Sequence, residues 1–282
     1  MTLHPIHTGN LKLDGGAMFG VVPKVLWSKA YPCDEQNLCN WAMRCLLIVE
    51  GDRRILIDCG IGDKQQEKFF ANYHLNGDQH LESSLEAAGY SVDDITDVIL
   101  THLHFDHAGG AVRWNRDHTG YEATFKNAVY HTSRRQWEWG VKPNHREKAS
   151  FLKENILPIL DSGKLNLLDT EGEIFPGISW RMFNGHTDGQ VIPFIQYKGK
   201  TIVFMADLLP SAAHIPLPWL MSYDTRPLIT LDEKEDLLAE AAREGYILFF
   251  EHDIRYEACT VEMTEKGVKV KDLLVNLEEV FN

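Results

Sequence analysis

Basic residues are scarce in this 282-residue chain: 28 Lys and Arg stand against 41 Asp and Glu, a formal net charge of -13. Binding a nucleic-acid backbone takes clustered Lys and Arg, and no such run is present, so a nucleic-acid partner is not expected. Long apolar runs are missing too. No stretch approaches the roughly 20 apolar residues of a membrane span, so a membrane partner is not expected either. The opening Met1-Thr2-Leu3-His4-Pro5-Ile6-His7 has no basic region leading into an apolar one, which removes the signature of a secretory leader. The five cysteines (Cys33, Cys39, Cys45, Cys59, Cys259) include no Cys-x-x-Cys pair. They read as buried thiols in a reducing cytoplasm rather than a disulfide framework. No internal repeat or low-complexity tract is present. With 44% hydrophobic residues there is ample material for a core.

Histidine, by contrast, is concentrated. Thr101-His102-Leu103-His104-Phe105-Asp106-His107 follows the apolar Asp97-Val98-Ile99-Leu100. It offers three imidazoles and a carboxylate in six residues, the ligand set that suits Zn²⁺ and related divalent metals. A tight turn at a strand end lets such side chains converge, whereas an extended strand would splay them to opposite faces. Three further β-prone runs end in ligand-type residues. Trp180 to Phe183 leads into Asn184-Gly185-His186-Thr187, Thr201 to Ala206 ends at Asp207, and Tyr246 to Phe250 ends at Glu251-His252-Asp253. Because the candidates spread from position 102 to 252, one catalytic domain over 1–282 is the simplest organisation.

His-x-His-x-Asp-His, a Gly-His-Thr loop, a strand-terminal Asp and a late His together resemble the metallo-β-lactamase superfamily, over about Cys45 to His252. The resemblance implies a mixed α/β fold, a four-layer αββα metallo-β-lactamase sandwich with a two-metal site at one edge of its sheets. On that likeness His102, His104 and His186 hold the first metal. Asp106, His107 and His252 hold the second, and Asp207 bridges both. The expected cofactors are two Zn²⁺, with other divalent metals open. Arg54 to Gly60 resembles the family's strand-Asp-x-Gly segment, where Asp58 is either the partner of a ligand imidazole or a plain turn residue.

Two adjacent divalent ions lower the pKa of a shared water from ~15.7 toward about 7, so the implied reaction is hydrolysis by a metal-bridging hydroxide. Asp106 is then either a ligand only or a ligand that also carries the proton to the leaving oxygen. A bridging Asp207 disfavours a zinc β-lactamase proper, and His104 disfavours a flavin-linked oxygen reductase. Asp207-Leu208-Leu209-Pro210-Ser211-Ala212-Ala213-His214, followed by Tyr223-Asp224, resembles the group of N-acyl-homoserine lactonases and methyl-parathion-type phosphotriesterases. The expected function is therefore a dinuclear zinc lactonase acting on a small lactone or ester with an apolar tail. Phosphotriester, aryl-ester or thiolester hydrolysis are the alternatives, and a metal-stabilised scaffold is the non-enzymatic one. Pro210 departs from the group, which places a substrate-binding Tyr there; Tyr223 either replaces it or only packs. His214 either lines the cleft or has a capping or surface role. Relatives are often dimers, so a homodimer is the expected assembly.

The segment Gly15 to Pro23 is too Gly-rich for a helix interior and too apolar for a solvated loop. It is either a buried edge or an apolar flap whose Met18, Phe19 and Val22, with Trp27, line the substrate pocket. Cys45 to Asp58 reads as a hairpin, Asp78 to Gly89 as a helix, and 133–162 as a partly helical insertion whose Trp137, Trp139 and Phe151 read as core. Asp232 to Arg243 is a helix opened by a capping box of Asp232 and Glu235.

Overall fold

The apolar runs up to Leu168 pair mainly into a six-stranded sheet, and those from Gly172 onward into a seven-stranded one. The computed structural model describes residues 1–281. Contacts divide it into two compact units, Met1–Leu11 with Met43–Thr170, and Lys12–Ala42 with Glu171–Asn282.

The first sheet is built from β1 (Thr2–Asp14), β2 (Leu38–Glu50), β3 (Arg53–Ile57), β4 (Asp97–Ile99), β7 (Val129–Ser133) and β8 (Leu165–Leu168), in that order. The short ribbon β5 (Val112–Trp114) and β6 (Tyr121–Ala123) stands apart as a pair. The expected hairpin is β2 with β3, antiparallel with Leu46 opposite Ile57, and Gly51 in the turn adopts φ 55. β3, β4, β7 and β8 run parallel, and parallel strands need both faces covered. Leu47, Leu56, Val98, Phe125, Tyr130 and Ile159 accordingly sit in one buried cluster. The 133–162 segment supplies two helices, Arg134–Val141 and Lys153–Asp161. Trp137 and Phe151 belong to that core. The helix expected over 78–89 is shorter, Leu81–Ala87, with Leu85 buried.

In the second unit the sheet order is β9 (Gly172–Phe175), β10 (Ile178–Phe183), β11 (Gln190–Tyr197), β12 (Lys200–Phe204), β13 (Ile247–Phe249), β14 (Ala258–Thr264) and β15 (Gly267–Leu274). Only β12 and β13 pair in parallel, and the long connection between them carries the helix Pro227–Glu244. That helix begins before the expected Asp232 because Pro227 occupies its first turn, where a fixed φ and a missing N–H cost nothing. Gly245, left-handed at φ 71, ends it.

The Gly-rich opening segment is corrected by the structure: it forms two short helices, Gly15–Phe19 and Lys24–Ala30. Asp14 caps the first by accepting from the N–H of Ala17 at 2.9 Å. Gly15 is there for space rather than flexibility, since a Cβ on it would lie 2.2 Å from the Trp27 ring. All five cysteines are free thiols. Among the described residues no helix is long and apolar enough to cross a membrane.

Candidate metal centre

In the first unit the ligand run leaves β4 and turns at once. His102 stands three residues past the strand's last residue, and Phe105–Ala108 closes a single helical turn that buries Asp106 and His107. Asp58 braces this turn. It follows β3, whose parallel register sets Ile57 beside Ile99, and it adopts φ 58. That conformation is uncommon outside glycine but tolerated by Asp. Asp58 is fully buried and accepts from the Thr101 N–H at 2.8 Å, the Thr101 hydroxyl at 2.6 Å and His107 Nδ1 at 3.1 Å. It is a turn residue that also holds the His107 imidazole, a candidate metal ligand. The Thr101 hydroxyl, committed to Asp58, in turn accepts from His102 Nδ1 at 3.1 Å. His104 is held the other way round: its Nε2 donates to Glu147 Oε1 at 3.1 Å. His102 and His104 offer ligand atoms within 4.8 Å of each other, as do Asp106 and His107.

The second unit assembles its candidate ligands from three strands. β10, β12 and β13 all point their carboxyl ends toward one sheet edge, and His186, Asp207 and His252 each lie three residues past the strand end. Phe204 and Phe249 are partners in the parallel pair, so Asp207 and His252 leave the edge in step. Asp207 Oδ2 faces His186 Nε2 at 3.1 Å, and its Oδ1 faces His252 Nε2, also at 3.1 Å. Ala206, at φ 41, sharpens the turn that presents this carboxylate. The opposite nitrogens are fixed: His186 Nδ1 donates to Asp224 Oδ1 at 3.0 Å and His252 Nδ1 to the Ala42 carbonyl at 2.7 Å. The His186 loop is clamped too. Glu233 accepts from the N–H of Asn184 at 2.6 Å and of Gly185 at 3.0 Å. A Cβ on Gly185 would lie 2.3 Å from the backbone nitrogen of Thr230, so only glycine fits.

This donor set fits divalent metal ions. Imidazole nitrogen and carboxylate oxygen are the ligand types zinc prefers, and each histidine gives one ring N–H to a fixed acceptor, which leaves its other nitrogen in the ligand tautomer. Burial alone would lower the pKa of His186, but Asp207 and Asp224 on its two nitrogens hold it up at about 10. The two carboxylates thus favour the protonated ring, and a cation bound there would take the proton's place.

A sequence profile described as "Metallo-beta-lactamase superfamily" matches residues 44–252. The chain belongs to this superfamily. It is similar to the N-acyl homoserine lactonase AiiA of Bacillus thuringiensis subsp. kurstaki, 27% identical over 239 residues that cover 80% of this chain and 87% of that protein. Among solved structures it is similar to a probable metal-dependent hydrolase from Staphylococcus aureus. That match is 34% identical with a TM-score of 0.89, covering 98% of this chain and 97% of the other. It also resembles AidC, a dizinc quorum-quenching lactonase, at 22% identity and a TM-score of 0.76 over 95% and 93% of the two chains. The mixed α/β architecture is therefore that of the metallo-β-lactamase fold, and the protein is a metal-binding hydrolase of that superfamily.

Around the superfamily ligands the remaining candidates fall as follows. Met18, Phe19, Val22 and Trp27 are buried, while Val21 between them is 91% exposed. Phe19 stacks on Trp27 with centroids 5.1 Å apart and on His214 at 4.6 Å. His214 is 1% exposed, which removes the surface role. Its Nε2 donates to the Met18 carbonyl at 2.9 Å, and its Nδ1 accepts from the Ser211 hydroxyl at 2.8 Å. Tyr223 is 41% exposed beside the buried Asp224. Sequence reasoning missed Glu147, the role of Asp224, Glu233 and the Ala42 carbonyl. Glu147 and Glu233 lie in no motif, Asp224 stands in a quoted segment with nothing there to assign it to His186, and a backbone carbonyl leaves no mark in a sequence.

Proposed function

We propose that the protein is a dinuclear zinc hydrolase that opens N-acyl-homoserine lactones, small neutral rings with an apolar tail. The observation that carries this reading is Asp207, whose two oxygens each face the Nε2 of a different histidine at 3.1 Å. That disposition suits a carboxylate shared by two cations. In the superfamily's ligand order His102, His104 and His186 would hold one ion and Asp106, His107 and His252 the other. The reading treats 1–282 as one catalytic domain. The relatives' names support the substrate: AiiA is an N-acyl homoserine lactonase, and AidC is a dizinc lactonase.

Two divalent ions held by these residues would supply an activated water near neutral pH and polarise a substrate oxygen. Asp106, buried on its helical turn, is the candidate proton carrier to the leaving oxygen through its carboxylate. Pro210 offers no donor at the third position after Asp207. The hydroxyl of Tyr223 is therefore the candidate donor to the substrate carbonyl. Met18, Phe19, Val22, Trp27 and His214 are the candidate wall for the apolar tail.

The test is to count metal per chain and to follow acid release from acyl-homoserine lactones of graded tail length. Two ions per chain and metal-dependent ring opening are expected. No turnover across the series would sink the lactone assignment. Because Pro210 removes a donor the lactone-opening group uses, phosphotriesters and aryl esters are the second reading. A ratio of kcat/KM on one zinc-loaded preparation decides between them.

A further inference from the structure

We propose that Glu147 is the positioning residue for His104, and that the 133–162 segment thereby sets how firmly the first unit's ligand run holds its metal. This rests on the reading that His104 is a metal ligand. Glu147 sits between the helices Arg134–Val141 and Lys153–Asp161, outside every motif of the chain. It is 4% exposed, and a carboxylate so buried has to have both oxygens satisfied. Oε1 accepts from His104 Nε2 at 3.1 Å and Oε2 from the indole N–H of Trp139 at 2.7 Å. Its backbone is anchored as well, since the Glu147 N–H donates to Asn144 Oδ1 at 3.0 Å and the Glu147 carbonyl accepts from Ser150 N–H at 2.9 Å. Phe151 walls the imidazole, with ring centroids 4.7 Å apart.

The consequence lies in the tautomer. His102, His107, His186 and His252 give up Nδ1 to their partners. His104 gives up Nε2, so Nδ1 is its ligand atom, and Glu147 is what turns it that way. A carboxylate on the far nitrogen also makes the ring a stronger donor to a cation. The sequence motif specifies that a histidine stands at 104; Glu147 decides which of its nitrogens is presented and how rigidly.

The experiment compares wild type with E147A, E147Q, W139F and the reference H104A, each loaded with cobalt(II). It measures metal dissociation into a chelator, the cobalt d–d spectrum, and folding by circular dichroism. H104A is expected to lose metal outright. E147A should stay folded but release metal about 10- to 100-fold faster with an altered spectrum. E147Q keeps one acceptor oxygen and should recover part of the loss; W139F, which leaves Glu147 on His104, should move least. Wild-type rates and spectrum in E147A, while H104A has lost metal, would overturn the proposal. If E147A does not fold, E147Q decides: dissociation rates and a spectrum identical to wild type in E147Q, while H104A has lost metal, overturn the proposal equally. Undiminished metal binding in H104A would instead remove the ligand assignment itself.

Discussion

In the first unit four ligand-type side chains follow a single strand within six residues, whereas in the second three arrive from the ends of β10, β12 and β13. The first arrangement is mostly local: one turn, one bracing carboxylate and the fixed register of β3 on β4 place the run, with only His104 oriented from outside it, by Glu147. The second is tertiary, and its geometry holds only if three strands keep register and the His186 loop stays clamped to the helix that follows. A local site concentrates its vulnerability in the brace. A convergent site concentrates it in the residue where the strands meet, which here is Asp207.

The largest effect should come from that residue. Asp207→Ala removes the oxygen facing His186 and the oxygen facing His252 together. Metal content by plasma mass spectrometry should fall, and hydrolysis should drop by about 100-fold or more, beyond the range seen for residues that only orient ligands. Retention of a full metal complement would break the idea that the second unit converges on this carboxylate.

The braces sharpen the contrast. Asp58 takes three hydrogen bonds and serves His107 directly and His102 through Thr101, while Asp224 orients His186. Asp58→Ala should therefore weaken metal binding by about 100-fold and Asp224→Ala by about 10-fold, the two ends of the range for such partners. Chelator competition reads both. An equal loss would mean that the local site is no more dependent on its brace than the convergent one.

The same contrast governs what could be read from the chain alone. The His102 to His107 run is legible because its ligands are neighbours in sequence, and His186, Asp207 and His252 because each closes a β-prone run. Their supports were hidden. Asp58 stood out as a strand-end residue, yet that it adopts φ 58 and joins Thr101 to His107 depends on β3 lying in register with β4. Glu147 and Asp224 reach their histidines from 43 and 38 residues away, and Ala42 acts through its carbonyl. The opening segment misled for a related reason. Helix propensity counted Gly15 and Gly16 against a helix, but the Asp14 cap and the room Gly15 leaves for Trp27 outweigh that local cost.

Gly185 gives a smaller and purely mechanical test. The Cβ of Gly185→Ala would press into the Thr230 backbone, and overpacking of this kind costs about 1–3 kcal/mol. Urea unfolding should show that loss, with weaker metal binding as the His186 loop shifts. Gly163→Ala, with nothing within 4 Å of its Cβ but a φ of 71, reports the cost of backbone strain alone.

The smallest effect expected concerns His214, whose ring is stacked on Phe19 in the second unit. Its Nε2 donates to the Met18 carbonyl and its Nδ1 accepts from Ser211. That network suits the neutral ring, and burial pushes the pKa down from 6.5 to about 3. Between those two values the unfolded chain binds the proton and the folded chain does not, so stability from this residue is whole above pH 6.5 and is lost as pH falls toward 3. At pH 5 the difference of 1.5 units from the unfolded value corresponds to about 2 kcal/mol. His214→Gln keeps a donor and an acceptor but cannot titrate. Measured by urea unfolding of metal-free protein at pH 8, 6.5 and 5, the variant should be weaker than wild type at pH 8 because the stack with Phe19 is gone, yet lose less on acidification. Parallel losses in the two proteins would show that the ring is not held neutral by its two partners. They would also shift the acid sensitivity of the second unit onto its candidate metal-binding histidines, His186 and His252.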